Sequence, residues 1–168
     1  GERYCGVFSK IYGLETIALR YFNVFGPRQD PNSQYSAVIP RFIAAMLNDE
    51  QPIIYGDGTQ SRDFTFVDNV VEANMLAAMA MCETGIVMNC ACHDRITLNQ
   101  LIDNINSVLG KNIKPVYYDA RTGDIKHSYA SIKMAEETIS YRPKVKFPDG
   151  LLKTIEWHKS RVSKTSKR

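Results

Sequence analysis

Thr16-Ile-Ala-Leu-Arg-Tyr-Phe-Asn-Val24, followed after Phe25 by Gly26-Pro27, is the stretch whose reading decides the fold. It is apolar, rich in β-branched and aromatic residues, and too short for a core helix, so it reads as a buried strand that the Gly-Pro pair terminates. Upstream, Gly1 stands inside what reads as a helix. Downstream, a polar loop runs to Tyr35, and then the period changes. Over Val38–Leu47 the residues Ile39, Phe42, Ile43, Met46 and Leu47 fall on one helical face, with Pro40 tolerable in the first turn. Ile53–Tyr55 reads as a short strand closed by Gly56-Asp57-Gly58, and Asp63–Val67 as a further extended segment. Asp68 is a plausible N-cap for a helix whose Val71, Met75, Ala78, Met79 and Cys82 would form the packed face. Gly85 precedes a strand at Ile86–Cys90. Thr97 and Gln100 make a capping box for a helix carrying Leu98, Leu101, Ile102, Ile105, Val108 and Leu109, with Gly110 as its C-cap. A strand at Lys114–Tyr118 and short helices at Ser131–Ile139 and Leu151–His158 complete the pattern. Strands alternating with helices give an α/β architecture with at least partly parallel pairing.

Composition narrows the function classes. With 168 residues, 44% hydrophobic and 23% charged, the chain is ordinary globular material with enough length for a real core. The net charge of +3 comes from the C-terminus: Lys159–Arg168 holds five basic and no acidic side chains, and the remainder carries 16 basic against 18 acidic. The basic balance therefore implies no nucleic-acid-binding face, and the tail reads either as a solvated end or as a contact for nucleic acid or an anionic surface. No apolar run approaches the roughly 20 residues that span a bilayer, and the N-terminus has no signal-peptide core, so no membrane association and a cytoplasmic location are expected. Four cysteines, Cys5, Cys82, Cys90 and Cys92, suit free thiols in a reducing compartment. Cys90-Ala91-Cys92-His93 invites a metal reading, but the spacing is C-x-C-H with no second pair; buried strand-end thiols are the alternative, and no metal is expected. No G-x-G-x-x-G, P-loop, H-E-x-x-H or G-x-S-x-G occurs in the sequence.

Three segments carry chemistry: Arg20-Tyr-Phe-Asn-Val-Phe-Gly-Pro-Arg-Gln29, Gly56-Asp-Gly-Thr-Gln-Ser-Arg-Asp-Phe64, and Arg121-Thr-Gly-Asp124 continuing through Ile-Lys-His-Ser128. Each sets polar or basic side chains beside glycine turns at a strand end, where backbone N–H groups and an arginine fork approach phosphate oxygens closely. Arg62 and Arg121 could clamp a diphosphate from two sides, and Asp124 could accept hydrogen bonds from sugar hydroxyls. Solvated or carboxylate-paired surface arginines remain the alternative.

These segments, in this order, resemble the C-terminal half of extended short-chain dehydrogenases/reductases. Within that superfamily they are most similar to the UDP-glucose and UDP-N-acetylglucosamine 4-epimerases of the NAD-dependent epimerase/dehydratase family. The resemblance runs from Gly1 to about Trp157. It implies the substrate-binding part of a Rossmann-type enzyme together with leftover strands and helix of the nucleotide-binding sheet: residues 1–30 from the NAD-binding domain, 31–157 mainly the nucleotide-sugar domain, 63–92 returning to the sheet, and 158–168 a basic flexible tail. It places the glycine-rich NAD turn, the catalytic Ser/Thr and the catalytic Tyr-x-x-x-Lys before Gly1. Tyr4 is not that tyrosine, because residue 8 is Phe8. No catalytic residue is therefore expected here, and the isolated chain is expected to be inactive and to retain no NAD.

The resemblance also implies roles. Arg62 and Arg121 correspond to the diphosphate arginines and Asp124 to the ribose carboxylate. The backbone of Ala37 and Val38 corresponds to a uracil contact, with Ile53 and Tyr55 as the other side of the base pocket; plain packing explains these side chains equally well. Asn23 corresponds to a substrate-binding Asn or is a strand-end turn residue. Tyr21 and Phe22 lie beside the nicotinamide or are core, and Phe64 is structural. Ser128 takes the place of a bulky Tyr that excludes N-acetylated sugars, and Gln29 resembles a sugar-contacting Gln of the enzymes that accept them. One departure is visible: His93 stands where the family usually has Gly, which puts the turn geometry there in question. The family pattern further implies a homodimer in the intact parent, and exposed strand edges imply non-native self-association of the fragment. A nucleotide-sugar dehydratase, a UDP-glucuronate decarboxylase, or a non-catalytic sugar-nucleotide-binding module are the alternative readings.

Overall fold

A computed structural model describes residues 1–31, 38–82 and 84–165. The elements follow in the order α1 (Glu2–Tyr12), β1 (Ile17–Tyr21), β2 (Val24–Phe25), α2 (Val38–Leu47), β3 (Ile53–Tyr55), β4 (Ser61–Arg62), β5 (Thr65–Phe66), α3 (Val67–Met79), β6 (Ile86–Cys90), β7 (Ile96–Thr97), α4 (Leu98–Leu109), β8 (Val116–Tyr118), α5 (Lys133–Ile139) and α6 (Phe147–Thr165). The strands associate in pairs. β1 lies parallel to β6 with Ile17 opposite Ile86 and Tyr21 opposite Cys90, β2 parallel to β5, β3 parallel to β8, and β4 antiparallel to β7. This is the α/β architecture with at least partly parallel pairing that the alternation of periods implied, three of these four pairs being parallel.

The deciding stretch is split by one residue. β1 ends at Tyr21 and β2 begins at Val24, because Asn23 adopts φ 37°, a left-handed conformation that Asn tolerates better than most residues. The strand-end turn is thus built into the segment that was expected to run unbroken to Val24.

Two cores hold the elements together. In the first, Ile39, Ile43 and Met46 of α2 pack with Leu101 and Ile105 of α4 and Leu151 and Ile155 of α6. A knot of phenylalanines closes it: Phe25 lies 5.6 Å from Phe66, 6.2 Å from Phe64 and 5.7 Å from Phe147, and Phe64 stacks on Phe147 at 5.7 Å. Phe64 is accordingly buried in packing. The second core joins Val70 and Ala73 of α3 to Met88 and Cys90 of β6 and to Ala135, Ile139 and Tyr141. The segment 130–141 therefore belongs with the β1–β6 pair.

Local signals explain most boundaries. Thr97 accepts from the Gln100 N–H while the Gln100 side chain accepts from the Thr97 N–H, and Gly110 closes α4 at φ 66°. α3 departs from expectation. Its cap position is Phe66 with no side-chain hydrogen bond, and Asp68 lies in the first turn. Its buried residues are Asn69, Val70 and Ala73, whereas Val71, Met75 and Met79 are exposed. Both sides of this helix carry apolar residues, so periodicity alone does not select one. Asn69 selects it: the carboxamide Oδ1 accepts from the N–H groups of Lys144 and Val145 at 3.0 Å each, and Nδ2 donates to the Val145 carbonyl at 2.8 Å. α6 begins four residues before Leu151 and continues to Thr165, so helix covers much of the segment expected to be a flexible tail from residue 158. Among the described residues no helix is long and apolar enough to cross a membrane.

Candidate functional site

The three chemistry-bearing segments meet. Ser61 starts β4, and the run 126–128 lies alongside it: the Ser61 N–H donates to the Lys126 carbonyl at 2.9 Å, the Ser128 N–H donates to the Ser61 carbonyl at 3.0 Å, and a parallel bridge joins Ser61 to His127. The Ser61 hydroxyl and His127 Nδ1 add a hydrogen bond of 2.9 Å. This pairing sets Arg62 beside Asp124, with Nη2 donating to Oδ1 at 2.9 Å. Arg62 Nη1 also donates to the Ser61 carbonyl at 3.0 Å. The guanidinium is mostly buried while the carboxylate is about half exposed, so the pair presents a fixed cation at the floor of an open site.

Arg121 is held differently. Its guanidinium lies 3.8 Å above the centroid of the Tyr55 ring, a cation–π contact at the end of β3. Tyr55 in turn sits 6.1 Å from Tyr118 of β8. Two adjoining clefts share this stack in their lining. One, of about 150 Å3, is lined by Val38, Ile53, Tyr55, Arg62, Arg121 and Asp124 among others; its neighbour, of about 320 Å3, shares Tyr55, Arg121 and Asp124 and adds Gly56, Asp57 and Lys126. In the second cleft the hydroxyl and the N–H of Thr59 both donate to Asp57 and hold its carboxyl below the usual carboxylate range. Six of the residues singled out from the sequence therefore share one depression. Ala37 lies outside the described residues.

Asn23 and Ser128 form a second group, and Gln29 lies on the loop after β2. Asn23 Nδ2 donates to the Asp63 carbonyl at 3.1 Å and to the Ser128 hydroxyl at 3.4 Å, although 105 positions separate Asn23 from Ser128. Gln29 Nε2 donates to the Val24 carbonyl at 3.2 Å, while its Oε1 is buried without a hydrogen-bond partner among the described residues.

Tyr21 and Phe22 diverge. Tyr21 is half exposed, donates from its hydroxyl to Asn74 Oδ1 at 2.9 Å, and faces a cleft of about 810 Å3 along β1 and the end of α3. Phe22 packs against the second core.

Sequence reasoning missed Asp63, which ties the groups together. It is fully buried; Oδ1 accepts from the Cys92 N–H at 2.9 Å and Oδ2 from the Ala130 N–H at 3.4 Å, and its carbonyl accepts from Asn23. Burial pushes its carboxyl above the ordinary range, and the surrounding backbone N–H groups work the other way. A buried Asp directly after Arg62 was its only signal. Burial likewise raises the Cys90 thiol to about 11 and lifts that of Cys92. Both are thiols rather than thiolates at neutral pH. Among the described residues no group of three or more His, Cys, Asp or Glu is disposed to hold a metal ion.

Residues 1–91 match the family model described as the NAD dependent epimerase/dehydratase family. The chain belongs to this family. Its fold is similar to that of the UDP-N-acetylglucosamine 4-epimerase from Methanobrevibacter ruminantium M1 in complex with UDP-N-acetylmuramic acid, at 48% identity and a TM-score of 0.89 over 95% of this chain and 51% of that one. It is similar also to the UDP-glucose 4-epimerase with UDP-glucose from Thermotoga maritima, at 37% identity and a TM-score of 0.90 over 96% of this chain and 51% of that one. Among curated relatives, a UDP-glucuronate 4-epimerase of Thermodesulfobacterium geofontis is 31% identical over 92% of this chain and 46% of its own length. The chain thus spans about half the length of the epimerase/dehydratase proteins it matches.

Proposed function

We propose that this chain is the nucleotide-sugar-binding portion of an NAD-dependent sugar-nucleotide 4-epimerase acting on UDP-GlcNAc and UDP-glucose. The observation that carries the reading is the convergence of Arg62, Arg121, Asp124, Tyr55, Ile53 and Val38 on one depression, with Asn23 and Ser128 joined beside it. In this reading the two arginines bind the diphosphate. Both are already oriented, Arg62 by Asp124 and Arg121 by the Tyr55 ring, which lowers the ordering cost of binding. The Asp124 carboxylate has two oxygens: Oδ1 takes Arg62, and the second serves a ribose hydroxyl. Val38 and Ile53 enclose the base. Asn23, Gln29 and Ser128 face the sugar.

In the whole protein, NAD supplies reversible hydride transfer at C4 of the sugar when bound. Tyr21, at the C-terminal end of β1 and open to the large cleft, fits a place beside the nicotinamide; Phe22 backs it from the core. The division into a nucleotide-sheet part and a nucleotide-sugar part is proposed on the same footing, supported by the two separate cores.

Calorimetry on the chain tests the reading. UDP and UDP-GlcNAc release heat with saturating binding, and Arg62→Ala or Arg121→Ala weakens UDP by about tenfold, the worth of one charge-assisted contact. Ser128→Tyr abolishes binding of UDP-GlcNAc and spares UDP-glucose, because the phenol fills the volume of an acetamido group. A folded chain that gives no heat with UDP refutes the proposal.

A further inference from the structure

His93 is held in a left-handed conformation at φ 55°. This conformation is uncommon for a residue with a side chain, so the surroundings must fix it. Both ring nitrogens are engaged: Nδ1 lies 3.0 Å from the Ala130 carbonyl and Nε2 lies 2.7 Å from the Tyr129 hydroxyl. A carbonyl only accepts, so Nδ1 donates to Ala130, and Nε2 meets the Tyr129 hydroxyl. The imidazole also packs on the Tyr129 ring at 4.7 Å between centroids, and the Arg95 guanidinium lies 4.5 Å from the centroid of that ring.

Tyr129 directly follows Ser128. The segment is thus anchored from two elements: Ser128 N–H to Ser61 on one side, and Tyr129 and Ala130 to the 93–95 turn on the other, with the Ala130 N–H reaching buried Asp63. Between these anchors the Ser128 hydroxyl meets Asn23. Arg62 is held by Asp124 and by the Ser61 and Lys126 carbonyls, and Arg121 by the Tyr55 ring, contacts that include neither His93 nor Tyr129.

We infer that His93, acting through Tyr129 and braced by Arg95, is a positioning residue that fixes Ser128 against Asn23 and so sets how tightly the sugar half of a UDP-sugar is held, without contributing to the nucleotide half. This rests on the reading of the site given above. Glycine at position 93 accepts the backbone conformation freely, so His93→Gly removes the latch without straining the turn.

Calorimetry of the wild-type chain, His93→Gly and Tyr129→Phe with UDP, UDP-glucose and UDP-GlcNAc separates the possibilities. The expected result is unchanged UDP affinity in all three proteins. UDP-GlcNAc binding falls about threefold to tenfold in His93→Gly, the worth of one or two neutral hydrogen bonds, and falls less in Tyr129→Phe, which keeps the ring contacts. A variant in which UDP and UDP-GlcNAc weaken in step, or in which neither changes, overturns the inference. A wild-type chain that binds UDP and UDP-GlcNAc equally overturns it too while leaving the nucleotide reading intact. A wild-type chain that binds no UDP removes both.

Discussion

Asp63 shows how one side chain can carry a site it does not enter. Its two oxygens terminate the N–H groups of Cys92 and Ala130, and its carbonyl positions Asn23. Removing a buried acceptor leaves each donor with a desolvation cost of about 1–3 kcal/mol, which outweighs the relief of discarding a carboxylate that burial already disfavours. Asp63→Ala is therefore expected to lose about 2–4 kcal/mol in urea unfolding, and Asp63→Asn less, since the amide keeps one acceptor of the same shape. A stability for Asp63→Ala equal to wild type would contradict this account. Tyr141 plays a comparable part in the second core, where its buried hydroxyl donates to the Ala91 carbonyl at 3.0 Å.

At the scale of elements, Gly150 in α6 sets two effects against each other. Ala in a helix interior is favoured over Gly by about 1 kcal/mol. A Cβ at this position, however, would sit 2.8 Å from Cδ2 of Phe66 and 3.0 Å from Cζ of Phe25, in the middle of the phenylalanine knot. Overpacking of this kind costs about 1–3 kcal/mol, so Gly150→Ala is expected to lower the melting temperature; a rise would show that the knot yields. The same contrast of local against distant causes explains what the sequence disclosed. α2, β3, β6 and α4 were legible to within a residue, because an apolar stripe, a glycine stop or a capping box lies inside each. The packed face of α3 was not, because Asn69 finds its partners 75 and 76 positions away. The site divides in the same way. Arg62, Arg121 and Asp124 stand in recognisable motifs, whereas the stack of Arg121 on Tyr55, the bridge from Ser61 to His127 and the latch at His93 exist only once distant segments are paired.

For the whole molecule, the buried ionisable groups set the dependence of stability on pH, and two of them pull in opposite directions. His158 is 7% exposed in α6, its Nε2 has no hydrogen-bond partner among the described residues, and burial lowers its pKa below the ordinary 6.5. Between 6.5 and that lower value the unfolded chain binds a proton that the folded chain does not, so the histidine's contribution is lost as pH falls through this window. Asp63 behaves conversely. Its folded pKa is raised above 3.8, so its contribution is complete below 3.8 and is lost as pH rises through the raised value. On acidification from pH 7 the histidine's share is lost as pH falls below 6.5, whereas that of Asp63 is regained as pH falls through its raised value, so the two act in opposite senses. The melting temperature is expected to fall on going from pH 7 toward pH 5, and His158→Leu, which fills the site with an apolar side chain and removes the unpartnered nitrogen, is expected to flatten that limb. Thermal melts of both proteins across this range decide the matter: parallel curves would show that the acid limb belongs to other groups, and a variant curve that stays level while the wild type declines assigns it to His158.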